Sequence, residues 1–268
     1  MKHLTILFLV PVLISLTSCD ETQTDLQSNV EAATEYVFGE VTYLDIFNYV
    51  DKAMQDPLLL SQGYATIDSA NITLLAGGLG ATLDFGSGVE CPDGKYRSGS
   101  INISLTGYYF QDTVSGNISL QNLTVEGRSI SGNLLIAKDF SGAFKDMTFE
   151  IVGGTYSDSL GNVSSFESVQ TLRWTAGANT FGNTADDIYT ALTGSTAEGL
   201  VYNGQEFSAT VTSDLVFNRS CQWISQGMLS LSMPGALVSS GTIDFGTGDC
   251  DSKVIFTFGE SSFPYYMD

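Results

Sequence analysis

Ile101-Asn102-Ile103-Ser104-Leu105 alternates apolar and polar side chains with period two, the pattern of a strand that buries one face. The same alternation returns at Asn117 to Leu120 and at Ser208 to Val211. Between such runs stand turn-forming pairs, Ser115-Gly116, Glu126-Gly127, Ser131-Gly132, Asn203-Gly204 and Pro234-Gly235, whose residues reach positive φ or preset φ at little cost. Short strands separated by turns, without helices between them, predict antiparallel hairpins rather than a parallel α/β sheet. The expected fold is all-β, with antiparallel meander or sandwich-like sheets over residues 61–268.

One segment reads differently. Ser28 and Glu31 have capping-box spacing, and Ala33, Val37, Val41, Leu44, Phe47, Val50 and Met54 then recur every three or four residues up to Asp56-Pro57. That spacing predicts a helix over 28–56 with one apolar face. Gly39 weakens it by about 1 kcal/mol, so the helix is expected to need an apolar surface to dock on. Thr82-Leu83-Asp84-Phe85-Gly86-Ser87-Gly88 with Cys91 is echoed by Thr242-Ile243-Asp244-Phe245-Gly246-Thr247-Gly248 with Cys250. A second echo links Arg173-Trp174 to Gln222-Trp223. Copies this far apart imply two related β units, 61–176 and 187–268, rather than a short-period solenoid.

Upstream, a basic start, an apolar run from Leu4 to Ile14 and small residues before Cys19 make residues 1–18 a secretory signal, too short for a mature membrane span. Leu16-Thr17-Ser18-Cys19 resembles the bacterial lipobox, which would make Cys19 the acylated N-terminus, followed by a polar tether over 19–27. The chain carries 30 acidic and 10 basic residues, a charge of −20, and one histidine, His3. Cleavage would remove Lys2 and His3 but no acid, leaving −21 and no imidazole. That excludes His-based nucleophile pairs, His-ligated metals and a neutral-pH His switch, and so negative a field disfavours nucleic acid as a partner. Of the remaining Cys91, Cys221 and Cys250, the last two lie a hairpin apart and are the preferred disulfide, with Cys91 a small buried residue.

The run from Asp84 to Gly99, the Arg173-Trp174 segment, and Ser220-Cys221-Gln222-Trp223 leading to Asp244 through Asp251 resemble a family of Bacteroidota lipoproteins over most of the mature chain. The resemblance implies a secreted, lipid-anchored, β-rich protein and assigns no activity to these residues. Asp20-Glu21 after the lipid site resembles the surface-export signal of such lipoproteins. Outer-membrane anchoring is therefore expected, with the cell surface favoured over the periplasmic face. Asp68-Ser69-Ala70, Asp112-Thr113-Val114 and Asp158-Ser159-Leu160 look like O-glycosylation sequences of the same bacteria.

Catalytic chemistry has little to stand on. The two Asp-Phe-Gly tripeptides lack a kinase catalytic loop and read as strand ends followed by glycine turns. Asp84, Asp93, Asp244, Asp249 and Asp251 offer hard ligands without a calcium-loop pattern, so no metal or cofactor is expected. Glu150, Glu167, Glu198 and Glu206 would be the acids of a glycoside hydrolase, but their spacing singles out no pair. Aromatic side chains carry the binding reading: Tyr108 and Tyr109 in the run Tyr108-Tyr109-Phe110, with Trp174 and Trp223, are the candidate stacking surfaces for a glycan or protein ligand. The expected function is a non-catalytic binding or structural lipoprotein. A hydrophobic-ligand carrier and, less favoured, a carboxylate hydrolase are the alternatives.

Overall fold

The computed structural model describes residues 21–267, so the leader, the lipobox and Cys19 lie outside the described residues. Helix α1 (Glu21–Met54) and the short α2 (Pro57–Gln62) precede sixteen strands. These are β1 (Tyr64–Ile67), β2 (Ala70–Leu74), β3 (Gly80–Asp84), β4 (Val89–Glu90), β5 (Tyr96–Leu105), β6 (Thr113–Val125), β7 (Arg128–Asp139) and β8 (Asp146–Ser157). After them come β9 (Val163–Ala176), β10 (Ile188–Ala191), β11 (Thr196–Leu200), β12 (Glu206–Asn218), β13 (Ile224–Ser232), β14 (Ser240–Thr247), β15 (Lys253–Phe258) and β16 (Ser261–Tyr266). The chain is all-β and antiparallel apart from its N-terminal helical segment.

The strands form one antiparallel sheet in near-sequential order, with β4 beside β5 and the two end strands β1 and β16 at its margins. β10 and β11 lie end to end between β9 and β12. The ladder therefore runs unbroken across 177–187, the join between the two related stretches of sequence. What covers the sheet's inner face is α1 rather than a second sheet. Side chains leave the helix in every direction to reach it: Tyr49 meets Phe85 after β3, Phe47 meets Phe149 on β8, Tyr43 stacks on Phe166 of β9, and Tyr36 meets Phe207 of β12. Asn29 donates to Val238 O in the β13–β14 turn. The sheet curls around the helix, and rings from both fill the space between.

This arrangement explains the helix's limits. α1 begins ahead of the expected Ser28 cap because residues 21–27 contain no glycine or proline to stop it. It ends where Asp56 caps α2, accepting from Leu59 N–H, with Pro57 in the first turn. Of the predicted apolar face, all but Val41 is fully buried, and so are Tyr36, Tyr43, Ile46 and Tyr49 beside it. From Glu31 onward, the part of α1 that stays open is a single stripe, Glu31, Thr34, Phe38, Val41, Asp45, Asn48 and Lys52, spaced by three or four residues. Gly39 has a docking role: a Cβ there would lie 2.6 Å from Cδ2 of Phe166.

Two of the pairs read as turns, Ser115-Gly116 and Ser131-Gly132, lie inside strands β6 and β7. Glycine serves there for close approach: a Cβ on Gly116 would meet Leu105 and Ile136, and Gly132, at φ 115°, sits where the β7–β8 register shifts. The echoed Asp-Phe-Gly segments have the same local structure. Leu83 and Phe85, like Ile243 and Phe245, are buried, and the Asp84 and Asp244 carboxylates accept from the N–H of Gly86 (2.7 Å) and Gly246 (2.8 Å).

Candidate functional site

The stripe on α1 opens into a groove. One wall is the 92–97 segment and the other the 217–224 segment, with the β1–β2 turn at Asp68 and the Thr184-Ala185 turn closing one end. The wider part is a cleft of about 580 Å³ floored by Asp45, Asn48, Tyr49 and Lys52 of α1. It continues along the helix to Val41 and Leu44, where Trp223 and Lys95 form the sides.

Each charged side chain of this cleft has an opposite partner. Lys52 pairs with Asp68 at 2.5 Å, and Arg97, buried behind the wall, pairs with Asp45 and Asp93, both at 2.6 Å. Although burial acts the other way, the Arg97 guanidinium holds the Asp93 carboxyl below its usual range. Arg219 donates to Oδ1 and to the backbone oxygen of Asn48 and stands 3.7 Å from Asp51. Fixed in this way, Asn48 keeps its Nδ2 donors free, as are the Thr184 hydroxyl and the Gln222 amide, with no hydrogen bond to another described residue. The groove offers neutral donors and acceptors between neutralised charges.

Beneath the cleft floor lies a buried polar network. Asp51 accepts from Tyr109 OH (2.5 Å), Tyr189 OH (3.1 Å) and Gln55 Nε2 (3.1 Å). The Lys138 ammonium donates to Tyr109 O at 3.1 Å and sits over the Tyr109 ring, and Trp174 Nε1 donates to Asp187. Burial lowers the Lys138 amine to about 8, opposed by the nearby charge of Asp51. Burial, reinforced by Asp51, raises the Asp187 carboxyl to about 6. Further up the helix, Glu40 is enclosed by the sheet, accepting from both Gln170 (2.7 and 2.9 Å) and Tyr36 (3.3 Å). Burial raises it to about 7 against those hydrogen bonds.

The aromatic candidates divide between interior and surface. Tyr109 is buried in the Asp51 network, and Trp174, half-buried, stacks on Tyr189 while bonding Asp187, so both are held by contacts within the fold. Tyr108 is half-exposed in the β5–β6 turn, stacked on exposed Phe110 with ring centroids 5.6 Å apart. Trp223 is half-buried, its ring under the Lys95 ammonium at 5.4 Å, on the groove wall.

A comparison with protein-family models, with curated proteins and with solved structures returned no match. Site assignment therefore rests on geometry.

Cys221 and Cys250 are joined by a disulfide, Cα atoms 5.7 Å apart, which ties the 219–223 turn of the groove wall to the 248–252 turn. Cys91 is a buried free thiol. Among the acids, Glu198 on β11 stands directly opposite Glu167 on β9, and both share a shallow outer patch with Glu206. All three are exposed and line an open depression of about 510 Å³ on the outer face of the sheet, and Glu150 is on β8. No three Cys, Asp or Glu side chains converge as a metal site among the described residues. Asp84, Asp93, Asp244 and Asp251 are engaged instead by backbone N–H groups two residues on.

Sequence reasoning missed Asn48, Lys52, Arg219 and Gln222 as groove residues. Asp45, Asn48 and Lys52 are the polar interruptions of the α1 pattern, and that periodicity is the signal that marks them. Asp51, Glu40 and Lys138 carry a plainer signal, a charged residue at an inward position: Lys138 follows Leu134 and Ile136 on the buried face of β7.

Proposed function

We propose that this chain is a non-catalytic binding module, anchored through lipidated Cys19 to a bacterial outer membrane and exposed at the cell surface. It takes a polar ligand in the groove along α1. The observation that carries the reading is the filled interior. The concave side of the sheet, where a hydrophobic-ligand carrier needs a cavity, is occupied by α1 and by Phe47, Phe149 and Phe166. The polar groove, with about 580 Å³ in its wide part, offers hydrogen-bonding groups that suit a glycan or a protein segment, whereas the more apolar depression beside Phe38, Val41 and Tyr265 holds only about 210 Å³. Among the described residues no helix is long and apolar enough to cross a membrane. A lipid on Cys19, two positions ahead of Glu21, the first residue of α1, would hold the domain through its central helix.

Protease shaving of intact cells tests the placement. The wild-type chain is expected to fractionate with the membrane and to be removed by external protease, and Cys19→Ala to lose the membrane association. Protection of the wild type in intact cells refutes surface exposure, and a Cys19→Ala chain that stays membrane-bound refutes the anchor.

A further inference from the structure

The geometry points to an uncharged oligosaccharide as the ligand of the groove, held between the ring of Trp223 and the amides of Asn48 and Gln222. This inference rests on the binding-module reading and names its ligand.

Three observations carry it. The groove sets an aromatic ring beside planar amides: Asp45, Asn48, Asp93, Arg219, Cys221 and Gln222 line both the wide cleft, about 580 Å³, and the narrow end at Trp223, whose volume of about 40 Å³ leaves a sugar unit lying across its mouth with the rest of the chain in the cleft. A sugar ring presents an apolar C–H face and a belt of hydroxyls, and such a groove meets the two together. The second observation is electrostatic. In a chain with 30 acids to 10 bases, a cleft with open carboxylates would draw cations, yet the carboxylates in and under the groove, Asp45, Asp51, Asp68 and Asp93, are matched by Lys52, Lys95, Arg97 and Arg219. With its own charges spoken for and the whole molecule repelling anions, the groove favours a ligand without charge. The third is pre-organisation. Arg219 fixes Asn48 through Oδ1, aiming the remaining N–H donors outward, and the Cys221–Cys250 bridge braces the turn that carries Arg219 and Gln222. A donor already held in place loses little freedom when it binds.

The test is titration of the full-length, detergent-extracted protein with uncharged tetrasaccharides of glucose in β-1,4 and α-1,4 linkage, of mannose and of N-acetylglucosamine, beside an acidic tetragalacturonate. Calorimetry and tryptophan emission are the readouts. The chain has two tryptophans, both half-buried, and Trp174 is stacked on Tyr189 outside the groove lining, so a ligand-induced emission change that Trp223→Phe abolishes reports Trp223. One uncharged sugar is expected to bind with a Kd of about 1 mM or tighter and the acid not to compete. Trp223→Ala should weaken binding about tenfold or more while Trp223→Phe, which keeps a ring, stays close to wild type. Gln222→Ala, which removes no hydrogen bond of the fold, should weaken binding several-fold even if Trp223→Ala proves unstable, and Phe110→Ala on the β5–β6 turn should have no effect. Absence of binding by every uncharged sugar overturns the inference. So does binding that Trp223→Ala and Gln222→Ala leave intact, although a sugar bound elsewhere would preserve the binding-module reading. Appearance of new reducing ends during incubation would overturn the non-catalytic reading and leave the groove assignment standing.

Discussion

Glu40 gives the sharpest quantitative consequence of a helix enclosed by a sheet. Its carboxyl is 1% exposed, and burial raises it from 4.5 to about 7. A carboxyl that holds its proton more tightly in the folded chain binds more protons folded than unfolded throughout that window. Its contribution to stability is therefore full below about pH 4.5 and is lost as pH rises through 7. A gap of about 2.5 units between the two states corresponds to roughly 3 kcal/mol. Glu40→Gln abolishes the titration and keeps one of the two Gln170 contacts, the amide oxygen still accepting from Nε2 while the new N–H can donate to the Tyr36 oxygen; the lost second contact adds an offset that does not vary with pH. Apart from that offset, the two proteins should melt together near pH 4.5. At pH 8 the variant should be more stable by about 3 kcal/mol, a rise in Tm of about 6–12 °C for a chain of this size. The assay is thermal melting by circular dichroism at half-unit steps from pH 4.5 to 8. Wild type will also lose stability over this range because 30 acids repel one another as they ionise, so the diagnostic is the difference between the curves. A difference that does not change with pH, or a variant less stable than wild type at pH 8, refutes the reasoning.

Gly39→Ala tests the close approach of α1 to β9. Helix propensity favours alanine by about 1 kcal/mol, but the new methyl would meet the Phe166 ring at 2.6 Å, and that ring is enclosed by Tyr36, Tyr43 and Phe207. Overpacking costs about 1–3 kcal/mol, so a net fall in Tm is expected, and a rise would mean that the ring has room to yield. The Cys221→Ser, Cys250→Ser double variant should lose about 3–4 kcal/mol in urea unfolding from opening a loop with a sequence separation of 29. An unchanged urea midpoint would show that the bridge does not constrain the unfolded chain.

What could be read from the sequence follows from what is local. Alternation survives as strand because each strand buries one face, and the inward side chains Ile101, Ile103 and Leu105 are buried as their pattern required. Asp56-Pro57 marks the end of α1 for a chemical reason that involves only neighbours: the aspartate caps and the proline starts α2. The helix's surroundings are not local. Its pattern shows one apolar face, whereas the structure buries nearly all of its circumference, polar residues Glu40 and Asp51 included. Tyrosine hydroxyls and Gln170 from strands more than fifty residues away make that burial tolerable. Of the site, Trp223 was legible by residue type alone. Asn48 was not, because its significance comes from Arg219, 171 positions along the chain.

The position of the groove is a consequence of the fold rather than an addition to it. A single curled sheet with two unpaired margins does not close on itself, so the helix that fills it must show one stripe to solvent. Between the 125–128 and 265–267 segments that stripe presents Phe38 and Val41, and between the 92–97 and 217–224 segments it presents Asp45, Asn48 and Lys52. Any polar residues would satisfy the exposed part of the stripe. What exposure alone does not require is the arrangement around it: Arg97 shared between Asp45 and Asp93, Arg219 reaching from another turn to hold Asn48, and a disulfide bracing that turn. Burial of the two guanidiniums, 2% and 6% exposed, explains their own partners, since a buried charge left unpaired is costly, but it does not explain the donors left open beside them: Nδ2 of Asn48, the Gln222 amide and the Thr184 hydroxyl. Neutral hydrogen-bonding groups left open side by side in a cleft of about 580 Å³ are what a ligand of the groove would use, and the buried arginines hold them in place.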